Sequence, residues 1–106
     1  MQESEFERLA AAREATRQRY SALFDRVVAI LHRHDPMGIS DAENPDEYTA
    51  ETGTIIPRLH LAINPEEVET IIAQEMTFWF GEAMAPPEEG FGAVAAAVWE
   101  AWQEHR

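Results

Sequence analysis

Nothing in residues 3–34 breaks a helix. Within them Phe6, Leu9, Ala10, Tyr20, Leu23, Phe24, Val27, Ile30 and Leu31 recur at three- and four-residue steps, the spacing that lines one helix face. The first breaker is Asp35-Pro36, because a proline ring disfavours helical backbone at the residue before it. The pattern predicts a single helix ~45–48 Å long, at a rise of about 1.5 Å per residue. That length constrains the whole fold. The other helical segments come to only ~22–26 Å, so half of the first helix overhangs a small bundle unless it breaks between Arg13 and Arg19.

After the turn-rich loop from Asp35 to Pro45, the middle of the chain is ambiguous. Ile55, Leu59 and Ile63 suit a helix, whereas Ile55, Pro57, Leu59, Leu61 and Ile63 alternate like an edge strand. We read helix over 49–63, capped by Thr49 or Asn44 and kinked at Pro57, with Gly53 easing the bend. Asn64-Pro65-Glu66-Glu67 is a sharper signal: a capping side chain, a proline at the first helical position, and a glutamate placed for a capping box. That helix carries Val68, Ile71, Ile72, Met76 and Trp79 and stops at Gly81. Pro86-Pro87-Glu88-Glu89 opens the last helix, with Phe91, Val94, Ala95, Val98, Ala101 and Trp102 as its apolar stripe. The expectation is one all-α domain over 1–106, a small four-helix bundle with a long N-terminal helix whose residues 1–17 overhang. Phe91, Val98 and Trp102 should face Val68, Ile72 and Trp79.

Charge is distributed unevenly. Twenty acids face eight bases for a net charge of −12, and every base is arginine. Residues 1–33 carry a net of +1 and residues 34–106 a net of −13. A field of that sign repels nucleic acid and anionic lipid and accelerates encounter with a basic protein. Zero cysteines exclude disulfides and thiolate chemistry. No apolar run reaches the ~20 residues that span a bilayer, and the start lacks a secretory pattern, so the chain reads as cytoplasmic.

Candidate chemical sites mostly fail on spacing. His32, His34 and Asp35 lie together, but positions 32 and 34 of a helix face different ways and cannot chelate one ion. Asp41, Glu43, Asp46 and Glu47 concentrate carboxylates, yet in EF-hand register Pro45, Asp46 and Thr52 occupy the wrong places. Glu66 and Glu69 form an E-x-x-E pair without the second carboxylate pair that helical nucleotide pyrophosphatases use. No nucleophile with an adjacent base is present, so neither a catalytic residue, a metal site nor a cofactor is expected. Two charges sit on apolar arcs: Arg13 with Arg17 at its edge, and Glu75, which needs an arginine or a tryptophan N–H if buried. Among the aromatics, Trp99 and one of Phe78 or Phe80 should lie at a margin.

The stretch from Leu31 to Ile39, with Asp35-Pro36-Met37-Gly38-Ile39, then Asn44-Pro45-Asp46-Glu47-Tyr48 and Trp79-Phe80-Gly81, resembles small uncharacterised bacterial helical proteins with a D-P-x-G-I, N-P-x-E-Y and W-F-G pattern. The resemblance covers residues 23–106. It implies a small helical fold and no established activity. Thr49-Ala50 stands where that pattern has Asp-Pro.

Two functional readings follow. In the first, the chain is a non-enzymatic acidic binding protein, similar to immunity proteins or antitoxins that neutralise a basic toxin nuclease. Asp41, Glu43, Asp46, Glu47 and Glu51 would meet the basic partner, a segment with five acids and no base. In the second, it is a helical self-assembly or adaptor module. A homodimer is expected through the overhang, with Phe6, Leu9, Ala10, Arg13 and Arg17 at the interface. An antiparallel pairing would set Glu3, Glu5 and Glu7 against Arg13, Arg17 and Arg19 of the second copy.

Overall fold

The chain bends where the pattern predicts one straight helix. In the computed structural model, which describes residues 3–39, 47–82 and 86–106, α1 spans Glu3–Arg19 and α2 spans Ser21–His34, with Tyr20 alone between them. Tyr20 has φ −121° and ψ 35°, outside the helical range. Helix-type hydrogen bonds persist across it: Tyr20 N–H donates to the Thr16 carbonyl at 2.9 Å, and Phe24 N–H to the Tyr20 carbonyl at 2.7 Å. The long N-terminal helix is thus corrected to two helices and a bend.

The reason is tertiary. A straight helix of ~48 Å would run well past the molecule, whose longest principal extent is 34 Å, and would leave Leu9 and Ala10 in water. Bent at Tyr20, α1 instead lies over α3, Thr49–Ile55. The Tyr20 ring is held beside His105, with centroids 5.4 Å apart.

The ambiguous middle is helical. α3 passes directly into a 3-10 helix, Ile56–Leu61, with Pro57 near its start. Proline has no N–H to offer the Gly53 carbonyl, so the α-pattern cannot continue through it and the chain tightens. Ile55, Ile56 and Leu59 are buried, whereas Leu61 and Ile63 are exposed. Gly53 has a different role from the one expected of it. A Cβ there would lie 2.8 Å from Arg13 Cγ, so its missing side chain is what lets α1 approach.

α4, Pro65–Phe80, starts as its signal predicts. Asn64 Oδ1 accepts from Glu67 N–H at 2.9 Å, while Glu67 Oε1 accepts from Ile63 N–H, one residue earlier than in a standard capping box. Gly81, at φ 82°, takes the chain out of the helix. α5, Gly92–His105, begins later than its Pro-Pro-Glu-Glu signal suggests. The intervening residues make a turn closed by Gly90 N–H on the Pro87 carbonyl, 3.0 Å.

The core is built by α2 (Leu23, Phe24, Val27, Leu31), α3 with the 3-10 helix, α4 (Val68, Ile72, Met76) and α5 (Val94, Val98, Trp102). No residue of α1 belongs to it. Burial of this apolar surface is the main favourable term in folding, so α1 is held by much less than the other helices are. Trp79 does not join the α5-facing set as expected. It is half-buried and its indole N–H donates to Thr54 Oγ1 at 2.9 Å, which ties α4 to α3. The fold is all-helical among the described residues.

Candidate interaction surfaces

α1 lies on α3 and against α2, and its half-buried residues are Leu9, Ala10, Arg13, Thr16 and Arg17. They recur at three- and four-residue steps, so one helix face makes the contact. Arg13 crosses Gly53. Arg17 holds its guanidinium 5.2 Å from the Phe24 ring centroid and 3.9 Å from Asp25 Oδ1. Four of the five residues expected at a dimer interface are therefore engaged within the chain, while Phe6 remains 57% exposed. The geometric motive for a dimer, a helix with no intrachain partner, is overturned.

The seating leaves gaps. One cleft of about 400 Å³ lies beside Glu5, Arg8, Leu9, Ala12 and the exposed ring of Phe78. Another of about 450 Å³ separates Ala15, Thr16, Arg19 and Tyr20 from Pro57 and His60 of the 3-10 helix.

Of the acidic segment only Glu47 and Glu51 are described. Asp41, Glu43 and Asp46 lie outside the described residues, and Glu47 is half-buried. Glu51 is a correction: it is only 6% exposed, so it cannot face a partner. Arg13 of α1 is a charge near it. Oε2 of Glu51 is buried without a hydrogen-bond partner. Burial pushes its pKa above the ordinary 4.5, against smaller opposing effects from a backbone hydrogen bond and the Arg13 charge.

A different group of acids faces water. Glu66 and Glu67 open α4, Glu88 and Glu89 form the turn before α5, and all four are exposed. Glu69 joins the two places. Its Oε2 accepts from Phe91 N–H at 3.1 Å, capping the entry to α5, and passes 3.4 Å from where a Gly90 Cβ would stand. The E-x-x-E pair thus divides into one surface acid and one structural acid. The sequence signal for the second was available only as a buried-side spacing, since nothing local shows that residue 91 lies beside residue 69. Ion pairs among the described residues lie elsewhere: Arg17 with Asp25, Arg26 with Glu104, and Arg58 with Glu75 at 3.6 Å. The last supplies the partner that Glu75 was expected to need.

The His32, His34 and Asp35 cluster is a helix end. Asp35 sits at φ 47°, a left-handed conformation, and its N–H donates to the Leu31 carbonyl. Its Oδ1 accepts from Ile39 N–H and from the hydroxyl of buried Tyr48, both at 2.8 Å. Tyr48 is pushed well above its ordinary pKa of 10.0, first by burial and then by this hydrogen bond. Among the described residues no three His, Asp or Glu side chains converge as metal ligands. None of the described helices is long and apolar enough to cross a membrane. Phe78 is the exposed margin aromatic, with Phe80 and Trp99 half-buried.

With fold and surfaces in place, comparison with known proteins gives no relative: no family model, curated protein or solved structure matches the chain.

Proposed function

We propose that this chain is an acidic, non-enzymatic binding protein of the cytoplasm that covers a cationic surface on a protein partner, as immunity proteins and antitoxins cover basic toxin nucleases. The observation that carries the reading is the exposure of Glu66, Glu67, Glu88 and Glu89, acids of the α4 start and of the turn before α5, two places that the Glu69 contact to Phe91 joins. With a net charge of −12, their field would speed encounter with a basic partner and repel nucleic acid. Asp41, Glu43, Asp46 and Glu47 are the further acids proposed to meet the partner. Glu51 takes no part. The test is capture of partners from the source cell by wild type and by a Glu66→Gln, Glu88→Gln, Glu89→Gln variant at low and high salt. The reading expects a basic protein whose capture weakens with salt and drops in the variant. Equal capture by both proteins at low salt would sink it.

A second reading, helical self-assembly, is favoured by a separate observation. Phe6 and Phe78 are 57% and 52% exposed, and Phe78 lines the cleft beside α1. Neither ring has a reason to stay in water on the outside of a monomer whose other large aromatics are covered.

A further inference from the structure

We propose that α1 is an exchangeable arm: in a dimer of this chain the bend at Tyr20 opens, α1 and α2 join into one helix, and each α1 seats on the other copy's α3 and 3-10 helix. The inference rests on the self-assembly reading and gives it a specific geometry.

The hinge is a single residue. Tyr20 departs from helical angles, yet hydrogen bonds of helical type already lead into it from Thr16 and out of it to Phe24. Residues 3–34 contain neither glycine nor proline, so nothing in the local sequence opposes a continuous helix there. The bend is held from outside instead, by the His105 ring beside Tyr20 and by α1's own seat on α3. Opening it costs those contacts and returns the backbone to the conformation its sequence prefers.

The seat does not depend on which chain supplies α1. Its floor is Gly53, with Pro57 and His60 of the 3-10 helix beyond, and α1 reaches it through one covalent link at Tyr20. No α1 residue enters the hydrophobic core, and Arg17 over the Phe24 ring is the contact shown between the arm and that core. What withdrawal exposes is Gly53, a floor whose missing side chain admits a helix carrying Arg13. The one helix shown to fit that surface is α1, and a second copy brings an identical one. A joined helix of ~48 Å projects beyond a body with a 34 Å longest extent, which gives the arm the reach that exchange requires. Exchange conserves the Arg13–Gly53 contact, loses in each copy the Tyr20–His105 contact and the Arg17 contacts to Phe24 and Asp25 across the bend, and gains two continuous helices plus whatever the joined helices make with each other. Concentration then selects the form, because only the dimer carries the association cost.

The experiment uses the full chain. Its mass is followed by light scattering from micromolar to millimolar concentration, and an equal mixture of isotope-labelled and unlabelled chains is examined by isotope-filtered NOE spectroscopy for contacts between Gly53 and the Arg13 side chain. The same measurements are made on Tyr20→Ala, which favours the continuous helix and removes the ring held by His105. Intermolecular Arg13–Gly53 NOEs in a dimer of either protein are the expected result. Tyr20→Ala should also lower the dimer dissociation constant about fivefold, as two improved helix positions per dimer would. A dimer whose Arg13–Gly53 NOEs are all intramolecular overturns the exchange and leaves self-assembly standing. A monomer mass at millimolar concentration for both proteins overturns both.

Discussion

Arg13 lies across Gly53 so closely that a Cβ on residue 53 would stand 2.8 Å from Arg13 Cγ and 3.0 Å from its Cβ. This contact decides how near α1 can come to α3. Gly53→Ala should improve the intrinsic helix propensity of α3 by about 1 kcal/mol. It should nonetheless lower overall stability by roughly 1–3 kcal/mol, because the clash falls on the root of the arginine side chain, where little can give. Urea melts measure the net. Limited trypsin digestion gives the location, since Arg8, Arg13, Arg17 and Arg19 make α1 the segment richest in cleavage sites. Faster cleavage within α1 is the expected outcome.

Glu51 ties the same contact to pH. Its pKa is raised in the folded chain, chiefly by burial, and the described charge facing it from α1 is Arg13. Below 4.5 the carboxyl is neutral folded or unfolded and carries no penalty. As pH rises above that value the unfolded chain releases the proton while the folded chain retains it, so this group's contribution to stability falls until the folded pKa is passed. Glu51→Gln should therefore be more stable than wild type at pH 8, by an amount on the order of 1 kcal/mol. The advantage should shrink towards pH 4. Thermal melts of both proteins across that range check it, and a difference independent of pH would refute the assignment.

How much of this was legible beforehand depends on the range of the interaction. The α4 start was fully readable, because Asn64, Pro65 and Glu67 act on backbone within a few residues. The helical character of 49–63 was readable once Pro57 was treated as a boundary, though not the switch to a tighter helix. The bend at Tyr20 was readable only as the alternative that helix length left open, a break between Arg13 and Arg19, since residues 16–24 contain no breaker and the contacts that hold the bend are tertiary. Two misplacements follow from that single miss. Arg13 looked like a misplaced charge, although it packs on Gly53, and Glu51 like a surface acid, although it is buried. Glu69 failed for a similar reason: its partner Phe91 is distant in sequence, and only the packing of α4 on α5 brings them together.

Glu69 makes a clean prediction of its own. Its carboxylate caps α5 through Phe91 N–H, in place of the local side chain that α5 lacks. Glu69→Ala should cost about 1–2 kcal/mol and loosen the first turn of α5, whereas Glu69→Gln, which keeps an acceptor oxygen, should cost under about 1 kcal/mol. Amide exchange at residues 91–94 separates these outcomes from a general loss of stability.

Tyr48 closes the loop that follows α2. Its hydroxyl donates to Asp35 Oδ1 at 2.8 Å and accepts from Met37 N–H at 3.2 Å. Tyr48→Phe conserves the ring but leaves both groups short of a partner, so a loss of about 2 kcal/mol in urea melts is expected. The Asp35→Asn variant retains an acceptor for Tyr48 and Ile39 and should lose less.

The bend at Tyr20 is the feature on which the α1–α3 contact and the exchangeable arm both depend. It is tested most directly by a distance. The chain has no cysteine, so Ser4→Cys and His34→Cys, both exposed, introduce a single pair of spin labels. Pulsed electron resonance at micromolar concentration, where the monomer dominates, should give one distance well below the ~45 Å that separates those positions along a straight helix. A single distance near ~45 Å in the monomer would mean that residues 3–34 form one unbroken helix and that α1 does not lie on α3.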